Sequence, residues 1–168
     1  MLEIEICRAG QGDYHSLCQF IELVDKEFYP PLSLRGDGIE QRVRKCLLGQ
    51  YSYYLLAKNT TDIENDDASK ILGVIGCNKY WKKEKDAYIN IMCVHPLYRK
   101  KGISRILFQK LEYDLINQDI KKLYVCTWST NTAAMSFYES NGFIPYCVVK
   151  DDRNHGVDTI HYRKTFHL

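Results

Sequence analysis

The sequence predicts an α/β (α+β) fold: a mixed, mostly antiparallel central sheet with helices on both faces and one parallel strand–helix–strand crossover. Three observations carry this reading. The periodic segments follow the order β-α-α-β-β-β-α-β-α-β-β. The three strands in the middle of that order are joined by links suited to hairpins, which makes them antiparallel neighbours. The next link is a helix, and a strand–helix–strand connection within one sheet makes its two strands parallel. With 168 residues and 45% hydrophobic content, the chain is expected to form a single domain over 1–168 around one core.

Residues 2–8 (LEIEICR) alternate apolar and charged, the pattern of a half-buried strand, β1. Asp13 stands as N-cap to a helix, α1, that runs through Val24 with Leu17, Phe20, Ile21 and Val24 on one face. The joint that follows, EFYPPLSLRGDG, cannot be helix because of Pro30, Pro31 and Gly36. Its Phe28, Tyr29, Leu32 and Leu34 are nonetheless too apolar for a solvated linker. Ile39, Val43 and Leu47, at spacing four, define α2 over Ile39–Leu48. Ser52–Lys58 is β2. The acidic stretch NTTDIENDDAS has no periodicity and is expected to be an exposed connection. Lys70–Tyr80 is β3, and the polar WKKEKD turns the chain back as a hairpin.

The hairpin leads into β4, Ala87–Val94 (AYINIMCV). A turn with Pro96 follows, then Arg99-Lys100-Lys101, and Gly102 opens a helix, α3, seen in Ile103, Leu107, Leu111 and Leu115. The charge placement is informative. A helix N-terminus carries roughly +0.5 of an elementary charge, so cations there are mildly unfavourable unless an anion sits between them. The unpaired N–H groups of the first turn would hold that anion. Neither GxxxxGK[ST] nor GxGxxG is present, because Gly102 stands alone in the loop. Downstream, Lys122–Trp128 reads as β5, followed by Ser129-Thr130-Asn131, a short helix TAAMSFYES (α4) and a stop at Asn141-Gly142-Phe143. Taken singly, Asn131 is a good N-cap, Gly142 a good helix stop and Tyr138 a candidate core aromatic.

Arg99-x-x-Gly102-x-Ser104 after a strand ending at Val94 resembles motif A of the GNAT superfamily of acetyl-CoA-dependent N-acetyltransferases, (Gln/Arg)-x-x-Gly-x-(Gly/Ala). The order strand, Asn131, Ala-Ala, Phe-Tyr-Glu, Asn-Gly-Phe looks like its motif B, with Tyr138 seven residues after Asn131 as the resemblance requires. It implies a β4–α3–β5 crossover in a GNAT-type sheet and direct acetyl transfer from acetyl-CoA, the cosubstrate, to an acceptor amine in a ternary complex. Family structures splay β4 and β5, and the pantetheine arm would pair with the backbone of Met92, Cys93 and Val94. Amides and side chains of Arg99, Lys100, Lys101, Gly102, Ile103, Ser104 and Arg105 would cradle the pyrophosphate. An amide near Val94 would polarise the thioester carbonyl. Asn131 would hold the pantetheine arm, and Tyr138, on the first turns of α4, would protonate the leaving thiolate. The same joint between α1 and α2 would flank the acceptor. Ser104 replaces the family's Gly or Ala with another small residue.

One departure concerns the base. Tyr88 and Cys126 occupy the strand positions where many members carry a carboxylate, which leaves Glu22, Asp25 and Glu27 near the joint, or a water chain, to take the amine proton. That gap also admits a non-catalytic acyl-CoA-binding or sensing module on the same fold. Cys93 and Cys126 have no neighbouring His or Lys to generate a thiolate, which argues against an acetyl-cysteine intermediate.

The chain ends in Phe143–Lys150 (β6) and Val157–Thr165 (β7), joined by the turn-rich DDRNHG. Family members pair through these strands, which implies a homodimer. A net charge of +2 argues against duplex nucleic acid as a partner. Seven cysteines without paired spacing read as buried thiols in a reducing compartment, Cys7, Cys77, Cys93, Cys126 and Cys147 among them. There is no metal-ligand spacing, no signal peptide and no membrane-length apolar run, so no metal, no membrane partner and a cytoplasmic location are expected. The acceptor itself, a small-molecule or a protein amine, is not encoded in any motif.

Overall fold

The computed structural model describes residues 3–61 and 71–166. Its strands are β1 (Ile4–Arg8), β2 (Ser52–Asn59), β3 (Ile71–Lys79), β4 (Asp86–Val94), β5 (Lys122–Trp128), β6 (Ile144–Asn154) and β7 (Val157–Thr165). The helices are α1 (Tyr14–Val24), α2 (Gly38–Leu48), α3 (Ile103–Asn117) and α4 (Thr132–Ser140). The strands form one sheet in the order β1-β2-β3-β4-β5-β7-β6. The pairs β1–β2, β2–β3, β5–β7 and β6–β7 are antiparallel, and β4–β5 is parallel, with α3 as the crossover. By internal contacts the chain forms two compact units, Met1–Asn78 with Asn90–Asp114, and Lys79–Ile89 with Leu115–Leu168.

The first unit buries β2 and β3 almost throughout, because helices cover both sides. Tyr54, Leu56 and Val74 meet Leu17, Phe20 and Ile21 of α1 and Ile39, Val43 and Cys46 of α2. On the other side, Gly73 brings α3 close: a Cβ there would lie 3.0 Å from Ile103 and 3.1 Å from Leu107. Gly76 is tighter still. A Cβ would fall 2.2 Å from Asn90 Oδ1, 2.8 Å from the Tyr54 ring and 2.9 Å from Ile91. Asn90 cannot yield freely, since its Nδ2 donates to Asn78 Oδ1 at 2.8 Å. Gly76→Ala should therefore cost about 1–3 kcal/mol as overpacking, read as a lower denaturant midpoint at unchanged m.

Two local expectations change here. Asp13 precedes α1 but does not cap it with its side chain. Its carboxylate instead accepts from Gly10 N (2.8 Å) and Lys58 Nζ (2.6 Å). In the joint, two 3-10 turns, Asp25–Glu27 and Leu32–Leu34, replace irregular loop. Leu32 is buried, but Leu34 is 76% exposed, so only part of the joint's apolar surface reaches the core. Most of the acidic connection lies outside the described residues.

In the second unit, α4 packs on one face of the strands. Tyr138 sets its ring 5.5 Å from Phe143 and 5.9 Å from Tyr162, whose hydroxyl donates to Glu139 at 2.7 Å. Gly142, at φ +82°, ends the helix, with Gly142 N bonding Glu139 O and Phe143 N bonding Tyr138 O. β6 runs four residues further than the sequence suggested, and DDRNHG contributes strand up to Asn154, leaving His155-Gly156 as the turn. Side-chain bonds make this possible: Asp158 accepts from Asp151 N (3.0 Å) and from Lys150 Nζ (2.7 Å). β6 is an exposed edge, and Cys147 on it is exposed rather than buried. All seven cysteines are free thiols. Among the described residues no helix is long and apolar enough to cross a membrane.

Candidate active site

β4 leaves the sheet through His95, whose N–H bonds Leu72 O at 2.9 Å and whose Nδ1 accepts from Leu97 N at 3.2 Å. This caps a 3-10 turn, Pro96–Tyr98. Arg99 then folds back: its Nε donates to Val94 O at 3.2 Å, and its guanidinium pairs with Glu27 from the joint. The side chain of Arg99 is thus a brace between the end of β4 and the joint. Lys100 (φ +61°) and Gly102 (φ +80°) both adopt left-handed backbone around Lys101. For Lys100 that conformation costs on the order of 1 kcal/mol or more, the kind of strain found at ligand clamps. A Cβ on Gly102 would meet nothing within 4 Å, so the space beside it is open. The first N–H groups of α3, at Ile103, Ser104 and Arg105, have no partner inside the helix by its geometry. Open space, successive N–H groups and the two exposed ammonium groups of Lys100 and Lys101 make a site suited to an anion such as a pyrophosphate.

Met92, Cys93 and Val94 end β4 in the same unit. Burial pushes the Cys93 thiol up, and the nearby Glu27 carboxylate adds to the effect, so it is not a thiolate. Two of the three substitute bases are engaged. Burial raises the Asp25 carboxyl, but bonds from Ser33 N (2.9 Å) and Ser33 Oγ (2.5 Å) hold it below its ordinary value. Glu27 is on Arg99. Glu22 is exposed on α1.

Asn131 and Tyr138 belong to the second unit. Asn131 Oδ1 accepts from Ala134 N at 3.2 Å, so its carbonyl caps α4 while its Nδ2 keeps its two donors. Tyr138 is 6% exposed and sits in the last turn of α4, not the first turns. Its hydroxyl lies near enough to Tyr88 to contribute to raising that phenol's pKa, behind the larger effects of burial and Cys126. Tyr88 Oη is 3.1 Å from Cys126 Sγ. A phenol held protonated in this way is no base. The parallel ladder here covers Asp86–Tyr88 against Lys122–Tyr124.

The structure adds residues that sequence reasoning passed over. Trp81 stacks on Tyr88 at 4.4 Å. Arg153 places Nη2 3.7 Å from Cys126 Sγ. His161 pairs in register with Cys126, and burial, then the charge of Lys82, lowers its pKa, so the imidazole is neutral at pH 7. The alternation along β5 and β7 contains His161, but only the strand register connects it to Cys126.

The fold and these motifs are those of a GNAT-type domain. The model of the Acetyltransferase (GNAT) family matches residues 19–143, and the chain belongs to this family. It is similar to N-alpha-acetyltransferase 30 of Xenopus laevis, 32% identical over 75 residues that make up 44% of this chain and 28% of that relative. Among solved structures it resembles a chain of the NatC complex bound to Gag peptide and CoA (TM-score 0.79, 18% identity, covering 99% of this chain and 100% of that one). It also resembles the ribosomal-protein-S18-alanine N-acetyltransferase from Escherichia coli (TM-score 0.77, 16% identity, 99% and 96% covered). At these identities the structural likeness is one of fold.

Proposed function

We propose that the chain is an acetyl-CoA-dependent N-acetyltransferase that acts as one catalytic domain over 1–168 and transfers the acetyl group directly to an acceptor amine. The observation that carries this is the 99–105 loop, left-handed at Lys100 and Gly102 and open in front of α3. Acetyl-CoA supplies the activated acetyl thioester. Lys100, Lys101 and the amides of Ile103, Ser104 and Arg105 bind its pyrophosphate, and Arg99 braces the loop against Val94 and Glu27. The backbone of Met92–Val94 and the Asn131 amide orient the pantetheine arm. Tyr138 holds the proton for the departing thiol. No carboxylate stands at Tyr88 or Cys126, so the amine proton leaves through water, with neutral His161 available as acceptor.

Peptide α-amines are the acceptors to test first, because the similar proteins are named for N-alpha-acetylation, for an alanine of a ribosomal protein, or for a bound peptide. Purified protein incubated with acetyl-CoA and an amine panel that includes free-amino-terminus peptides should release CoA thiol only when an accepted amine is present. CoA retained through purification with no turnover on any amine would instead indicate the acyl-CoA-sensing module.

A further inference from the structure

In the first unit, α1 and α2 pack side by side, and the joint connects the C-terminal end of α1 to the start of α2. At the other end of the pair, a 3-10 turn, Gln11–Asp13, leads into α1, and α2 stops at Leu48. Gly49 then turns the chain toward β2 so closely that a Cβ on it would collide with Ser52 Oγ. Between these two helix ends lies a cavity of about 400 Å³, lined by Gln11, Tyr14, His15, Arg44, Leu47 and Leu48. None of them belongs to the 92–105 stretch or to the joint.

The lining divides by chemistry. Tyr14 and Leu47, which pack inward on the core, and Leu48, which is 62% exposed, form an apolar wall. His15 sets its ring edge-on to Tyr14 at 5.3 Å. Arg44 supplies a permanent charge. Its guanidinium lies 5.5 Å from the centre of the Tyr14 ring, and among the described residues it makes no hydrogen bond and no ion pair. No carboxylate lines the cavity. The acids nearby in the chain are held elsewhere: Asp13 accepts from Gly10 N and Lys58 Nζ, and Asp37 pairs with Lys45. Glu40, one turn before Arg44 on α2, is exposed and forms no ion pair with it.

A guanidinium laid over a ring still offers the N–H groups along its edge, which are the groups that grip a carboxylate. A cation entering the cavity would meet like charge, and a neutral molecule would leave the guanidinium beside it unpaired. Size sets the rest. At about 30 Å³ of liquid volume per water, the space holds roughly a dozen water-sized groups, the scale of a small molecule.

We propose that this cavity binds a small carboxylic acid with an apolar body, its carboxylate on Arg44 and its body against Tyr14, Leu47 and Leu48. The proposal does not depend on the acetyltransferase reading. The test titrates the full chain, with saturating CoA present, with phenylbutyrate and with phenylbutyramide, which has the same shape and no charge. Backbone amide shifts in NMR spectra report the binding. The acid should saturate with a Kd on the order of 1 mM, and the largest shifts should fall on the 11–15 and 44–49 segments. The amide should bind at least about threefold more weakly, with the gap narrowing as salt is added. Arg44→Gln should bring the acid-to-amide ratio toward one, and Arg44→Lys should keep part of it. Leu48→Ser should weaken both ligands alike.

Equal binding of acid and amide overturns the proposal. So does a folded Arg44→Gln protein that keeps the full ratio, a set of largest shifts outside the two segments, or the absence of saturable binding. Should Arg44→Gln not fold, the parent's acid-to-amide ratio and its narrowing with salt decide.

Discussion

Tyr138→Phe should lower kcat by about 10²–10⁴-fold while the KM for acetyl-CoA hardly moves. The substitution leaves the ring where it is, between Phe143 and Tyr162 and away from solvent, and removes only the hydroxyl. That hydroxyl is close enough to be felt at Tyr88, in the last pair of the parallel β4–β5 ladder. A phenol with a pKa of about 10 keeps its proton at neutral pH and can give it to a thiolate whose conjugate acid has a pKa near 8.5. Single-turnover measurement separates this step from product release. Unchanged kcat would return Tyr138 to the core, and the transfer would then rest on proximity and carbonyl polarisation. Unchanged packing can be checked independently by the denaturant midpoint, which the loss of a hydroxyl from an intact ring should move little.

Where the hydrophobic period was strong, the sequence was enough to find the structure. Leu17, Phe20, Ile21 and Val24 are all buried as one face of α1, because a stripe at helical spacing has only one way to leave water. The turn of the chain into α3 was also legible, since its cations, glycine and helix start are contiguous in the chain. What escaped depends on partners far along the chain. Asp13 gives up capping to pair with Lys58, which strand pairing brings to it. DDRN reads as turn, yet Thr159 and Asp158 of β7 bind Arg153, Asp152 and the Asp151 backbone and draw the segment into β6. The place of Arg153 beside Cys126 and Trp128 was therefore invisible: its local sequence says turn, and those neighbours belong to another strand.

Gly102→Asp should weaken CoA binding at least tenfold, about 1.4 kcal/mol. The free protein should tolerate the change, because a Cβ at Gly102 meets no atom within 4 Å, and aspartate enters the left-handed region more readily than most residues. The penalty is reserved for the bound state, where a carboxylate would occupy the open side of the loop in front of α3. There it opposes the phosphates and competes for the α3 amides and the ammonium groups of Lys100 and Lys101. Gly102→Asn separates these contributions, since it has nearly the same shape and no charge: its loss of affinity measures crowding and strain, and the further loss in Gly102→Asp measures repulsion. Only that second part should shrink as ionic strength rises. Titration calorimetry on the folded variants reads both. Parental affinity in a folded Gly102→Asp protein would move the pyrophosphate away from this loop, and the strain at Lys100 would then need another cause.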